Sequence, residues 1–323
     1  MNRDIKNIGV FTSGGDSPGM NATIAAIVKE CSVAGVQATG IMKGYDGMID
    51  GEFWTLDNDA IKNIIHKGGT ILKSMRCERF MQLKYRKQAL QQLTKNNIDG
   101  LIAIGGDGTF KGLLAFSEIC KLPFIGIPGT IDNDLYGSDY TLGFDTAVNN
   151  AIDAIDKIKD TASSHDRIFI VEVMGRDAGY IALGTGLGVG ADAILIPEKA
   201  GEVEVLLNKI KNHQHKESMI IVVAEGDETG AYQLAEKIKK TNAQADIRIT
   251  VLGHIQRGGH PTFMDRMLGI RMGVAAVKNL LHGEKNKMVG IVQNKLKLTP
   301  FEKVVKQHEV NTEMLELLDL FEK

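Results

Sequence analysis

The strongest constraint on this chain is an alternation of two patterns along its length. Short, almost continuously apolar runs rich in Ile and Val occupy residues 8–12, 101–104, 124–127, 168–173, 193–196, 219–224 and 247–252. A strand with one face in water alternates polar and apolar residues. These runs do not, so they read as strands covered on both faces. Amphipathic stretches of helical period lie between them, at residues 84–96, 145–159, 203–211 and 231–240. Strands alternating with helices build parallel sheets through right-handed crossovers. The expected class is therefore α/β with mainly parallel sheets. In such sheets ligands sit outside the carboxyl ends of the strands. The glycine- and aspartate-rich motifs of this chain fall just after the apolar runs.

At 323 residues the chain has room for two domains of roughly 150 residues, or one large one. Thirty-six glycines stand against six prolines, with no repeat period, which points to tight turns and backbone-lined loops. No Pro/Ser-rich linker marks a boundary, so two domains would be joined by tight connections. The formal net charge of −2 creates no global field for nucleic acid or an anionic membrane. An anionic ligand would need locally placed basic groups. Cys31, Cys77 and Cys120 form no CxxC pair and no disulfide framework, which fits a reducing cytoplasm. The N-terminal residues lack the apolar region and cleavage site of a secretory leader. No apolar stretch reaches the ~18 residues a membrane span needs.

Three motifs carry the chemistry. The first, TSGGDSPGMN from Thr12 to Asn21, follows the first strand and opens a helix. Gly14 and Gly15 let backbone N–H groups approach an anion, and the helix N-terminus adds favourable partial charge. A plain strand-to-helix turn would carry the same residues, and the pattern is neither a Walker loop nor GxGxxG. The second is Ile104-Gly105-Gly106-Asp107-Gly108-Thr109. Its glycines expose backbone donors to phosphate, and Asp107 offers a hard oxygen suited to Mg²⁺. Thr109 either bonds a phosphate or caps the helix. The third is Pro128-Gly129-Thr130-Ile131-Asp132-Asn133-Asp134. Two carboxylates at i and i+2 repel unless a metal or cation separates them. Phosphoryl transfer to a hydroxyl uses a carboxylate to take the proton and a metal to bridge the phosphates. An Asp-rich surface turn is the bland alternative.

Arginines flank several glycine turns: Arg76, Arg167, Arg176 in Met174-Gly175-Arg176, Arg248, and Arg257 before Gly258 and Gly259. Arginine offers a planar fork that matches phosphate, although a single exposed arginine is often no more than a solvated charge. His254 suits a hydrogen bond to a sugar or phosphate, or a structural role. Glu225 ends a buried strand and suits sugar hydroxyls, or the N-terminus of a helix.

The series SGGDSPGMN, GGTILKSMRC, GGDGT, PGTIDND, GFDTA, EVMGRDAGYIAL and TVLGHIQRGGHPT resembles bacterial ATP-dependent 6-phosphofructokinase, with the motifs in order over nearly the whole chain. The resemblance implies two doubly wound α/β domains. Residues 1–143 with 256–304 would form the nucleotide domain, and 144–255 with 305–323 the sugar-phosphate domain. It implies ATP contacts at Gly15, Tyr45, Arg76, Cys77, Gly106, Asp107, Gly108 and Thr109, with Asp107 on Mg²⁺. Thr130, Ile131 and Asp132 match the substrate loop, Asp132 as the general base for the sugar 1-hydroxyl, and Asp134 supports metal and loop. Met174, Gly175 and Arg176 match the substrate-binding turn, with Arg176 facing the transferring phosphoryl. Glu225, His254 and Arg257 match ligands of fructose 6-phosphate. Arg167 and Arg248 match arginines that reach the 6-phosphate in a neighbouring subunit, so the working form would be a homotetramer in the cytoplasm.

Two details refine the resemblance. Relatives that use pyrophosphate look like they carry Asp in place of Gly108 and Lys in place of Gly129, so glycine at both favours ATP. The family's arginine-rich effector site is altered here. Its positions read Ala25, Lys29, Lys159, Asp192 and Lys216, and lysine lacks the bidentate fork. Weak activation by nucleoside diphosphate and weak inhibition by phosphoenolpyruvate are expected. GGDGT also resembles the phosphate loop of NAD kinases and diacylglycerol kinases, which leaves MGR and GHxQRGG unexplained. A non-catalytic sugar-phosphate sensor would be expected to lose Asp107 or Asp132. A dinucleotide oxidoreductase would need GxGxxG.

Overall fold

All seven apolar runs become strands in the structure, a computed structural model that describes residues 5–162, 164, 167–212, 218–307 and 310–321. The chain order is β1 (Asn7–Ser13), α1 (Met20–Ala34), β2 (Gln37–Ile41), α2 (Tyr45–Asp50), β3 (Phe53–Leu56), α3 (Leu83–Lys95), β4 (Gly100–Gly105), α4 (Asp107–Ser117) and β5 (Phe124–Pro128). There follow α5 (Phe144–Ala162), β6 (Ile168–Val173), α6 (Tyr180–Val189), β7 (Ala193–Leu195), α7 (Glu202–Asn212), β8 (Met219–Ala224), α8 (Gly230–Thr241) and β9 (Ile247–Val251). The chain ends with α9 (Phe263–Leu281), β10 (Lys287–Val292), β11 (Lys295–Pro300) and α10 (Thr312–Phe321).

The strands form two sheets. One has the order β11-β10-β5-β4-β1-β2-β3, with antiparallel pairs only at its two ends. The other, β7-β8-β6-β9, is parallel throughout. The unbroken apolar runs are explained by the larger sheet, whose residues feed two cores. Ile8, Val10, Ile102, Ile104, Ile125 and Ile127 point to one core, which α1 and α9 cover. Phe11, Leu101, Ala103 and Phe124 point to the other, lined by residues of α2, α3 and α4. Side chains alternate faces along a strand, so a sheet with helices on both sides needs an apolar residue at every position.

The chain divides into two compact units. The first runs up to Ile131 and resumes over Leu135–Asp145 and Arg257–Gln307. The second holds Asp132–Asp134, Thr146–Gln256 and the C-terminal helix α10. The changes of unit fall one to three residues beyond the bounds that the resemblance implies, and the short Asp132–Asp134 segment groups with the second unit. Among the described residues no helix is long and apolar enough to cross a membrane.

Four strands had no sequence signal strong enough to read. In β2, QATGI is short and interrupted by glycine. The β10–β11 hairpin turns on Gln293 and Asn294, both at positive φ (49° and 61°). That is the geometry of a primed two-residue turn, but without the Asn-Gly or Asp-Gly pair that usually announces it.

Candidate active site

In the first unit the register of three neighbouring strands fixes the site. Ser13 of β1 lies opposite Gly105 of β4, and Gly105 lies opposite Pro128 of β5. The three strands run parallel and end level with one another, so the loops that follow them leave the sheet at one edge. The Gly129 N–H also donates to the Gly105 carbonyl at 2.9 Å, tying the third loop to the second. The Thr141 hydroxyl donates to the Thr130 carbonyl at 2.5 Å, and the Leu142 N–H to the Pro128 carbonyl at 2.9 Å.

The glycine loop after β1 is held by its neighbours. The Ser74 hydroxyl donates to the Gly14 carbonyl at 2.7 Å, and one arm of Arg257 donates to the Asp16 carbonyl at 3.0 Å. A Cβ at Gly15 would stand 3.0 Å from that guanidinium, so Arg257 lies directly over exposed Gly15. Gly106, Asp107 and Gly108 open α4. Exposed Arg76 and half-buried Cys77 follow the Gly68–Ser74 loop. Burial, then a hydrogen bond to Asp46, pushes the Cys77 thiol up to about 11, so it stays protonated near neutral pH. Arg79 grips both Asp46 (2.6 Å) and Asp50 (2.7 Å) and anchors this segment to α2. The sequence reading missed it.

Asp107 meets the requirement for a metal ligand. Its Oδ2 is paired with Lys111 at 2.7 Å. Its Oδ1 is buried and has no hydrogen-bond partner among the described residues. A buried carboxylate oxygen without a donor is costly unless a ligand satisfies it, and a hard cation would do so.

Two of the residues expected at the nucleotide have buried side chains. Tyr45 is 4% exposed, with its ring stacked on Phe80 at 3.9 Å between centroids. Its hydroxyl donates to the Thr109 carbonyl at 2.6 Å, and burial raises its pKa well above the usual phenol. It braces the glycine loop from beneath and offers no open ring face. Thr109 is 3% exposed, and its hydroxyl donates to the Ser13 carbonyl at 3.4 Å, which links the first two loops. In both cases the apolar packing of α2 and α4 against the sheet draws the side chain inward.

The loop after β5 continues with Ile131 fully buried, Asp132 5% exposed and Asp134 3% exposed. Asn133 between them adopts φ 53°, a left-handed conformation that Asn tolerates better than most residues. Buried carboxylates two positions apart contradict the surface-turn alternative.

The second unit carries the other candidates. The Met174–Gly179 turn follows β6 and presents exposed Arg176. Glu225, at the end of β8, accepts the Arg176 N–H at 2.7 Å. A Cβ on Gly226 would sit 1.9 Å from the Arg176 carbonyl, so only glycine fits there. Arg167 and Arg248 share one carboxylate: Asp246 lies 2.7 Å from the first and 2.8 Å from the second. Asp246 therefore holds two guanidinium groups side by side, and the cluster keeps a net positive charge. His254 is exposed in the turn that follows β9.

The residues at the positions expected for an effector site are mostly engaged within the chain. Ala25 is 1% exposed within the first unit's core. The Lys159 ammonium donates to the Val189 carbonyl at the end of α6. The Asp192 carboxylate accepts the Ile220 N–H at 2.7 Å. Lys29 is exposed, and Lys216 lies outside the described residues.

Comparison with known proteins agrees with this geometry. Residues 7–280 match the family model described as phosphofructokinase. The chain is 50% identical over 319 residues to an ATP-dependent 6-phosphofructokinase of Cytophaga hutchinsonii, covering 98% of this chain and 97% of that one. It is 47% identical to ATP-dependent 6-phosphofructokinase 2 of Bacteroides thetaiotaomicron, over 94% of each chain. Among solved structures, the phosphofructokinase of Saccharomyces cerevisiae matches with a TM-score of 0.89 at 30% identity, over 98% of this chain and 49% of that one. A pyrophosphate-dependent phosphofructokinase from Marinobacter aquaeolei shares the fold, with a TM-score of 0.84 at 23% identity over 98% and 91%. A family match over residues 7–280, joined to half-identity along almost the full length of a relative, settles the ancestry of these loops: the chain belongs to the phosphofructokinase family.

Proposed function

We propose that this chain transfers the terminal phosphoryl group of MgATP to the 1-hydroxyl of fructose 6-phosphate, forming fructose 1,6-bisphosphate. The observation that carries the reading is the level alignment of Ser13, Gly105 and Pro128 on adjacent parallel strands. That register sets two glycine loops beside the loop that leads into Asp132. Phosphoryl transfer demands positioning and charge stabilisation above all.

In this reading Gly15 and Gly106–Thr109 turn backbone donors toward the nucleotide phosphates, and Arg76 adds positive charge. Asp107 would hold Mg²⁺, which when bound neutralises phosphate charge and orients the terminal group. Asp132 accepts the proton of the attacking hydroxyl. Arg176 stabilises the charge that builds on the phosphoryl oxygens, while Asp134 supports the loop. Glu225, His254 and Arg257 bind the sugar, and Arg167 and Arg248 take the 6-phosphate of a neighbouring subunit in a cytoplasmic homotetramer.

The donor reading rests on two glycines. At Gly129 a Cβ would meet Ile104 at 2.9 Å and Met20 at 3.1 Å, so a lysine there demands local rearrangement. At Gly108 no atom lies within 4 Å of the Cβ position, which leaves the α4 entrance open for a nucleotide. The internal contacts of Ala25, Lys159 and Asp192 support weak effector regulation.

Replacing Asp132 by Asn tests the mechanism. The expected result is a fall in kcat of about 10²–10⁴, as for loss of a general base, with ATP binding nearly unchanged. A near-normal kcat removes Asp132 from the role.

A further inference from the structure

The Met174–Gly179 turn has an unusual backbone. Gly175 lies at φ 147° and Arg176 at φ 54°. A non-glycine residue in the left-handed region persists only where its surroundings over-determine it. Two carboxylates from different strands do so here. Glu225 Oε1 receives the Arg176 N–H at 2.7 Å. Glu198, just beyond β7, receives the Gly179 N–H on both oxygens, at 2.8 and 3.1 Å. Gly179 is the cap residue of α6, so the Glu198 charge also faces the positive end of the helix. The approach is close: a Cβ on Gly179 would fall 2.5 Å from both Glu198 Oε2 and the Ile196 Cβ. Between these anchors the Ala178 N–H closes the turn on the Gly175 carbonyl at 3.0 Å.

We propose that Glu198 is a positioning residue for the substrate-binding turn. It clamps the Gly179 end to the head of α6 as Glu225 clamps the Arg176 end, and so sets the direction in which Arg176 is presented. Glu198 acts through the backbone. The inference rests on the assignment of Met174, Gly175 and Arg176 to the sugar phosphate.

Steady-state kinetics of the assembled full-length enzyme test it, with Glu198→Ala, Glu198→Gln and Arg176→Ala measured side by side. Loss of a charge-assisted hydrogen bond at the clamp is expected to raise KM for fructose 6-phosphate about tenfold in Glu198→Ala. KM for ATP is expected to stay within about twofold, because the clamp touches only the sugar-side turn. Glu198→Gln keeps an acceptor oxygen and is expected to recover KM to within about threefold of the unsubstituted enzyme. A merely structural role would lower kcat and Tm and leave KM where it was. If Arg176→Ala raises KM while both Glu198 variants keep the original value, the positioning role is overturned and the turn's assignment stands. If all three keep it, the assignment falls as well. Should Glu198→Ala fail to fold, Glu198→Asp withdraws the carboxylate by one methylene. Its expected rise in KM is about fivefold, and an unchanged KM overturns the proposal.

Discussion

Gly108→Asp is the most informative single substitution at the nucleotide loop. Gly108 is exposed, is the second residue of α4, and has no heavy atom within 4 Å of its Cβ position. A side chain there meets no packing penalty. An acidic residue in a first helical turn is favourable by about 0.3–1 kcal/mol. The fold should therefore tolerate the change, with Tm unaltered or slightly raised. The effect falls on the ligand. With the nucleotide phosphates against this helix end, the new carboxylate would lie about 6 Å from them. At an effective dielectric of about 40, each like-charge pair at that distance costs roughly 1.4 kcal/mol. Two phosphate charges in range give about 3 kcal/mol, on the order of a hundredfold in affinity. Gly108→Ala separates shape from charge and should shift ATP affinity by less than about threefold, since nothing opposes a methyl group. The assay is calorimetric titration of MgATP into each variant, with thermal melts alongside. Wild-type ATP affinity in a fully folded Gly108→Asp protein would refute the placement of the phosphates at α4.

Three further changes probe other parts of the site. Tyr45→Phe removes the hydroxyl that donates to the Thr109 carbonyl at 2.6 Å, a carbonyl that as part of α4 also faces the helix amide four residues on. It should cost about 0.5–1.5 kcal/mol of stability, the net worth of one hydrogen bond, and raise KM for ATP, and an unchanged melt and KM would deny the bracing role. Arg167→Ala and Arg248→Ala should each raise KM for fructose 6-phosphate about tenfold or more with little change in kcat. If neither does, the two arginines gathered on Asp246 do not serve the 6-phosphate. Plots of velocity against fructose 6-phosphate should be hyperbolic and move by less than the roughly fivefold of weak allosteric coupling when ADP or phosphoenolpyruvate is added. A sigmoidal curve shifted strongly by either would contradict the reading of Ala25, Lys159 and Asp192.

The sequence exposed most of the parallel framework because strands buried on both faces leave an unmistakable apolar record, as in residues 101–104 and 219–224. Its glycine and aspartate motifs could be placed at strand ends for the same reason. Burial was harder to read. Tyr45 and Thr109 stand beside phosphate-type motifs, yet their side chains turn into the core, and only packing against Phe80 and Ser13 reveals it. Glu198, Asp246 and Arg79 act on groups 19, 79 and 33 residues away. No local pattern reports such pairings. The hairpin of β10 and β11 stayed hidden because its turn uses Gln293 and Asn294 where glycine is usual.

A coupled assay of the purified protein with fructose 6-phosphate, comparing MgATP with pyrophosphate as donor, tests the proposed reaction most directly. Turnover with MgATP and none with pyrophosphate is the expected result, given glycine at both 108 and 129. Turnover with pyrophosphate alone would overturn the donor reading, and no turnover with either donor in the assembled protein would contradict the proposed reaction itself.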